Sequence, residues 1–231
     1  MQKYSEARNE IVKIGRISWD LGLNSLKSGN LSVIMPNRDI LITRTGKSLR
    51  ELQPGKDLTI VPSVESDRGN ASCEFYVHRA IYQITGTGSG AILHCHPPCS
   101  IAASSAFEEN IPPAYNEAKD VLGTTAILNS ADRESFGENP ANVGHALRMN
   151  AIVAVRGHGT FALAENLAQG LYLTELLERS CRILLLSGAH QAAHPVEAAE
   201  GATKYRAARL KLQRRPLNAI SGKLRRKDLQ Y

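Results

Sequence analysis

The stretch Ala91-Ile92-Leu93-His94-Cys95-His96-Pro97-Pro98 decides how the chain is read. An apolar run of strand length ends in two histidines. Side chains alternate faces along an extended chain, so His94 and His96 point the same way and both imidazoles can reach one ion. Cys95 alternates away from them, which makes it a buried thiol rather than a ligand. Two further candidates flank the run: Glu74 in Asn70-Ala71-Ser72-Cys73-Glu74, and His158 in Val155-Arg156-Gly157-His158-Gly159. A histidine between two glycines at a strand exit has little packing role. Three imidazoles and one carboxylate suit Zn²⁺ or a similar divalent ion.

Upstream, Leu31–Met35 reads as a strand, Pro36–Asp39 as a turn and Ile40–Thr43 as the returning strand of a hairpin. Gly29-Asn30 and Thr45-Gly46-Lys47-Ser48 cap these strands. Glycine permits close backbone approach, and an amide, hydroxyls and Lys47 could surround a phosphate, although turn chemistry alone also accounts for these residues. The GxxxxGK spacing of a Walker loop is absent. Asp57–Val61 reads as a strand, and Ser72 as the N-cap of a helix through Glu74, Val77, Ile81 and Tyr82. Such a helix start favours anions; a Glu there more commonly just complements the helix dipole. Ser5–Leu23 carries Ile11, Ile14, Ile17 and Leu21 at helical spacing.

Downstream, Ser100–Phe107 reads as a helix and Ile111–Glu117 as a rigid connection, in which Tyr115 and Glu117 are candidates for general acid chemistry. Thr124–Leu128 and Ala151–Val155 read as strands, Asn139–Arg148 and Ala164–Leu186 as helices. His190 and His194 precede Pro195 and suit a loop. Alternating strands and helices with hairpin and crossover connections indicate an α/β sandwich.

A chain of 231 residues with 42% hydrophobic and 22% charged residues suits one large soluble domain. Residues 1–195 read as that domain and 196–231 as a basic extension, helical or bridging subunits. The N-terminus shows no signal pattern and no segment reaches a membrane-spanning apolar length, so a cytoplasmic protein with no membrane partner is expected. Cys73, Cys95, Cys99 and Cys181 form no CxxC pair, which argues against a disulfide framework or an all-cysteine zinc site. The net charge is +6, and ten Lys or Arg residues lie between Lys204 and Lys227 with no acidic residue among them. Without interleaved aromatics this tail identifies no nucleic-acid partner.

The ordered set Gly29-Asn30-Leu31-Ser32, Ile42-Thr43-Arg44-Thr45-Gly46, Ser72-Cys73-Glu74, His94-Cys95-His96-Pro97 and Gly157-His158-Gly159 resembles the class II aldolase/adducin family. The resemblance spans roughly Tyr4 to His190. It implies an α/β/α sandwich whose mixed, mostly antiparallel sheet is flanked by helices. It implies Zn²⁺ held by His94, His96 and His158, with Glu74 as fourth ligand and catalytic base; Co²⁺, Mn²⁺ or Fe²⁺ suit the same donors. It further implies phosphate binding by Asn30, Thr45, Gly46, Ser72 and Cys73, and a homotetramer with active sites between subunits. Where the family usually has two serines before the Glu, this chain has Ser72-Cys73, and a thiol is a poor donor.

The reaction implied is reversible cleavage of a sugar 1-phosphate to dihydroxyacetone phosphate and a small aldehyde through a metal-stabilised enediolate. Tyr115 or Glu117, with Glu117 preferred, would donate the proton, and Tyr205 or Tyr231 could help close the site. Alternatives within the family are dehydratases resembling those acting on methylthioribulose phosphate, pentulose-phosphate 4-epimerases, and non-catalytic adducin-like interaction proteins. The epimerases usually carry Asp where this chain has Glu74, and the adducin-like proteins typically lack the metal ligands.

Overall fold

The hairpin read from Leu31 to Thr43 forms as β1 (Asn30–Ile34) and β2 (Ile40–Thr43), paired antiparallel with Ser32 opposite Ile42. Its turn is closed by the Met35 N–H donating to the Asp39 carbonyl at 2.8 Å. The computed structural model containing it describes residues 2–129 and 140–188. To this hairpin the chain adds β3 (Leu58–Val61), β4 (Gly90–Cys95), β5 (Asn110–Ile111), β6 (Thr125–Leu128), β7 (Ile152–Val155) and β8 (Gly159–Ala164). The sheet order is β3-β2-β1-β4-β8-β7-β6-β5, and only the β6–β7 pair is parallel. This is the mixed, mostly antiparallel sheet expected.

Among the described residues six helices cover the sheet: α1 (Gln2–Asp20), α2 (Phe75–Thr85), α3 (Pro98–Ala106), α4 (Asn116–Val121), α5 (Ala141–Leu147) and α6 (Leu167–Leu186). Strand alternation divides the core in two. Leu31, Leu41 and Leu93 face one side with Ile11 and Ile14 of α1 and Leu173 and Leu177 of α6. Ile42, Ile92 and Phe161 face the other with Phe75 and Ile81 of α2 and Val143 of α5. Both faces of the central strands are therefore buried, and the polar residues standing on them need partners inside the protein.

Four local expectations are corrected. The central strand β8 lies where the sequence reading has none: Thr160-Phe161-Ala162-Leu163 is buried on both faces, so it shows no polar alternation, and α6 begins only at Leu167. Helix α1 stops at Asp20, leaving Leu21 half exposed while Leu23 turns into the core. Ile111–Glu117 is not a plain connection, because β5 ends at Ile111 and α4 begins at Asn116 with Glu117 on it. Ser72 is not the N-cap of α2. That position is Glu74, whose N–H donates to the Ser72 hydroxyl oxygen at 3.3 Å.

The four cysteines are free, and the Cys95 thiol is buried as expected, its pKa pushed up to about 12 by burial. No helix among the described residues is long and apolar enough to cross a membrane. His190, His194, Tyr205, Tyr231 and the basic extension lie outside the described residues.

Candidate metal centre

His94 stands on β4 between Asn30 of β1 and Phe161 of β8, its two register partners, on the face covered by α2. His96 follows the end of the strand. Its backbone N–H, held by the Leu23 carbonyl at 3.0 Å, carries the extended conformation two residues past His94 and keeps both rings on one face. His158 sits in the turn joining β7 to β8, where its N–H donates to the Val155 carbonyl at 3.0 Å. The glycines around it are steric requirements: Gly157 has φ +67°, and a Cβ on Gly159 would lie 2.3 Å from the Cys95 carbonyl oxygen. Glu74 comes down onto this same face from the helix layer that covers it, at the start of α2.

The four side chains converge. Their ligand atoms all lie within 4.8 Å of one another. Glu74 Oε2 is 3.0 Å from His94 Nε2, Glu74 Oε1 is 2.9 Å from His158 Nε2, and the Nε2 atoms of His94 and His96 are 2.9 Å apart. Asn30 Nδ2 donates to Glu74 Oε2 at 2.5 Å, which aims the carboxylate. A tetrahedron with bonds of about 2.1 Å has edges of about 3.4 Å, within the span of this group.

The donors also fit a cation chemically. His94 Nδ1 faces the Thr160 carbonyl oxygen at 2.9 Å, and a carbonyl can only accept, so Nδ1 carries the hydrogen. In the neutral ring Nε2 is then a lone pair aimed at a carboxylate oxygen and another imidazole nitrogen. Acceptors facing acceptors in a buried site call for a positive charge among them, which a divalent ion supplies. Burial works against charge on Glu74, but without an ion a protonated His94 supplies that positive charge, and with hydrogen bonds from His158, His94 and Asn30 it holds the carboxyl well below the usual carboxylate range. Burial, with the neighbouring charges of His94 and His158, lowers His96 to about 3, so its ring stays neutral and able to ligate. Phe161 stacks on His94 with ring centroids 4.0 Å apart and fixes its plane.

Arg156 anchors the turn carrying His158. Its Nη1 donates to the carbonyls of Ser104 (2.5 Å) and Phe107 (3.0 Å), its Nη2 to that of Glu108, and its Nε to Asn129 Oδ1 (2.7 Å). The Gly157 N–H donates to Ser104 Oγ at 3.0 Å, tying the same turn to α3. Arg156→Ala should therefore lower metal affinity about 10- to 100-fold, as loss of ligand-orienting contacts does elsewhere, measured by competition with a chelator. Unchanged affinity would show that the turn holds its shape without the guanidinium.

Beneath the site His78 is fully buried on α2, its Nδ1 2.7 Å from Ser32 Oγ, which also lies 2.9 Å from the Tyr82 hydroxyl. Burial, with the charge of His94, lowers its pKa to about 3. The unfolded chain binds this proton near pH 6.5, so the contribution of His78 to stability is full above that pH and fades as the pH falls towards about 3, with a slope of up to about 1.4 kcal/mol per unit. Urea unfolding of metal-free protein at about pH 7 and about pH 5 should show this loss, and His78→Gln should make the slope shallower; an unaltered slope would count against it.

The remaining sequence candidates divide. Thr45, Gly46, Ser72 and Cys73 lie on two adjoining segments, with the Thr45 N–H donating to the Asn70 carbonyl at 3.2 Å and the Ser72 N–H to the Thr43 carbonyl at 2.9 Å. Asn30 adjoins them but is engaged with Glu74. Lys47 pairs with Asp57 at 3.0 Å. Glu117 accepts from the Tyr172 hydroxyl at 2.8 Å, and the Tyr115 hydroxyl is buried without a hydrogen-bond partner among the described residues. Neither Tyr115 nor Glu117 joins the Glu74–histidine group. Thr160, Phe161, Arg156 and His78 escaped the sequence reading, since their roles depend on register and on contacts across the sheet.

A family profile described as Class II Aldolase and Adducin N-terminal domain matches residues 9–185. The chain belongs to this family, whose class II aldolases are metal-dependent. Among solved structures it is similar to L-fuculose-1-phosphate aldolase from Thermus thermophilus, with 31% identity, TM-score 0.73, and coverage of 82% of this chain and 98% of that one. Similarity to the sugar-phosphate aldolase from Thermotoga maritima, at 21% identity and TM-score 0.65 over 82% of this chain and 97% of that one, concerns the fold alone. Among curated proteins it is 25% identical over 204 residues to methylthioribulose-1-phosphate dehydratase of Marinobacter nauticus, covering 76% of this chain and 91% of that protein.

Proposed function

We propose that this chain is a metal-dependent lyase that reversibly cleaves a sugar 1-phosphate to dihydroxyacetone phosphate and a small aldehyde. The observation that carries this reading is the convergence of Glu74, His94, His96 and His158 in a chain 31% identical to a fuculose-phosphate aldolase. His94, His96, His158 and Glu74 would hold a Zn²⁺ ion, which would supply Lewis-acid charge to stabilise negative charge developing on the substrate. Glu74 does the proton work. Its carboxylate stays ionised and is steered by Asn30, so in the condensation direction it accepts a proton from the hydroxymethyl carbon next to the carbonyl. His94, locked by Thr160 and Phe161, keeps its Nε2 lone pair turned inward.

Thr45, Gly46, Ser72 and Cys73 receive the phosphate in this reading, with Asn30 at the edge of the same pocket. The proton for the aldehyde oxygen comes from Glu117 or Tyr115 of a neighbouring subunit, in a cytoplasmic homotetramer built from the 1–195 domain. A second reading, dehydration of a methylthioribulose-type phosphate, is favoured by the two curated dehydratases matched at 25% and 22% identity.

The test is a panel of ketose phosphates incubated with Zn²⁺-loaded protein and assayed together for dihydroxyacetone phosphate, epimer and dehydrated ketone. Dihydroxyacetone phosphate is expected. A dehydrated ketone as the sole product would replace the lead reading with the second.

A further inference from the structure

Arg44 follows the last residue of β2. The ladder pairs Ser32 with Ile42 and, on the other side of β1, Asn30 with His94. Beyond Thr43 the partner changes: the Ser72 N–H donates to the Thr43 carbonyl and the Thr45 N–H to the Asn70 carbonyl, so Arg44 stands opposite Ala71. Ile40 and Ile42 face the α2 layer, so by alternation Arg44 does too. Arg44 thus shares with Asn30, His94 and Phe161 the sheet face from which Glu74 descends.

The backbone around Arg44 is tightly held. Its N–H donates to the Asp57 carbonyl at 2.9 Å, and the residue bridges to Ala71, so it sits between the 45–46 and 72–73 segments. Its side chain is different. Arg44 Nε is buried with no hydrogen-bond partner, and the guanidinium enters no ion pair among the described residues. The other cations of these segments are occupied: Lys47 pairs with Asp57, and Arg68 donates to the Ala71 carbonyl at 2.8 Å. A buried N–H left without an acceptor is costly, and a guanidinium fork matches the oxygens of an anion.

We propose that Arg44 is the charged anchor for the phosphate of the substrate, a role that rests on the function proposed above and adds a residue to it. The donors available beside Arg44 are the Ser72 hydroxyl, which accepts from the Glu74 N–H and has its own proton to give, and the polar Thr45-Gly46 turn. Several donors around one cation suit a dianion with three accepting oxygens better than a carboxylate with two. The arginine also offsets Cys73, whose exposed thiol donates weakly.

Calorimetric titration of the metal-loaded full chain with dihydroxyacetone phosphate, inorganic phosphate, dihydroxyacetone and glycolate tests this. Arg44→Met should weaken binding of the two phosphate probes about 10- to 100-fold, as expected for loss of charged hydrogen bonds, and leave dihydroxyacetone binding and metal content unchanged. Arg44→Lys, which keeps the charge and loses the fork, should fall between; if Arg44→Met does not fold, a several-fold loss in Arg44→Lys decides. Equal phosphate affinity in wild type and variants would overturn the role of Arg44 and leave the proposed function standing. Glycolate bound more tightly than phosphate, and lost with Arg44, would overturn the assignment to phosphate. Wild-type protein that holds metal but binds neither phosphate probe would overturn both readings.

Discussion

His94→Ala should leave the purified protein with little bound metal and turnover below detection. His94 is the most enclosed of the four converging groups, fully buried, with its Nδ1 committed to the Thr160 carbonyl and its plane set by Phe161. Removing the ring takes away one of four donors and leaves Glu74 Oε2 with Asn30 alone. The loss of metal affinity should exceed about 100-fold, the upper end of what disturbing only the outer contacts of a ligand costs. Elemental analysis after dialysis measures it. Truncating a buried ring also costs roughly 3–5 kcal/mol, so a circular dichroism melt should accompany the metal assay. Full metal content in a folded His94→Ala protein would show that the ion is held elsewhere.

Glu74→Gln should have the second large effect, of a different kind. The substitution keeps the length of the side chain but replaces an anion by a neutral amide. Saturating metal compensates for weaker ligation, whereas the missing base cannot be restored in that way. With metal in excess, kcat should still fall about 10²- to 10⁴-fold, the usual contribution of a general base. The pH profile carries further information. The carboxyl of Glu74 is held well below the usual carboxylate range, so it stays ionised across the working pH, and its own protonation should set no acid limb of wild-type activity there. A kcat that recovers fully with added metal would make Glu74 a ligand only.

Much of the centre was legible in the chain because its signals are local. The His94-x-His96 spacing places two imidazoles on one strand face whatever surrounds the strand. Gly157-His158-Gly159 marks a turn in which a side chain at 159 would strike the neighbouring strand. The order of the family motifs supplied the rest of the metal set. What misled was equally local. Ser72 is a good helix cap by composition, yet α2 begins after Glu74, because the 70–72 segment is drawn into pairing with 43–45 and reaches the helix already extended. A contact no local pattern shows is that of Asn30, which lies beside His94 in the sheet and grips Glu74.

Alternation along a strand is a property of the backbone alone. The sequence by itself therefore determined that His94 and His96 share a face, that Cys95 leaves it, and that a hairpin precedes them. Which strands lie side by side depends on pairings between residues distant in the chain, which no local pattern encodes. Only the tertiary structure could insert β8 between β4 and β7, bring the Thr160 carbonyl and Phe161 against His94, clamp the His158 turn through Arg156, and pair Arg44 with Ala71 just ahead of Ser72 and Glu74.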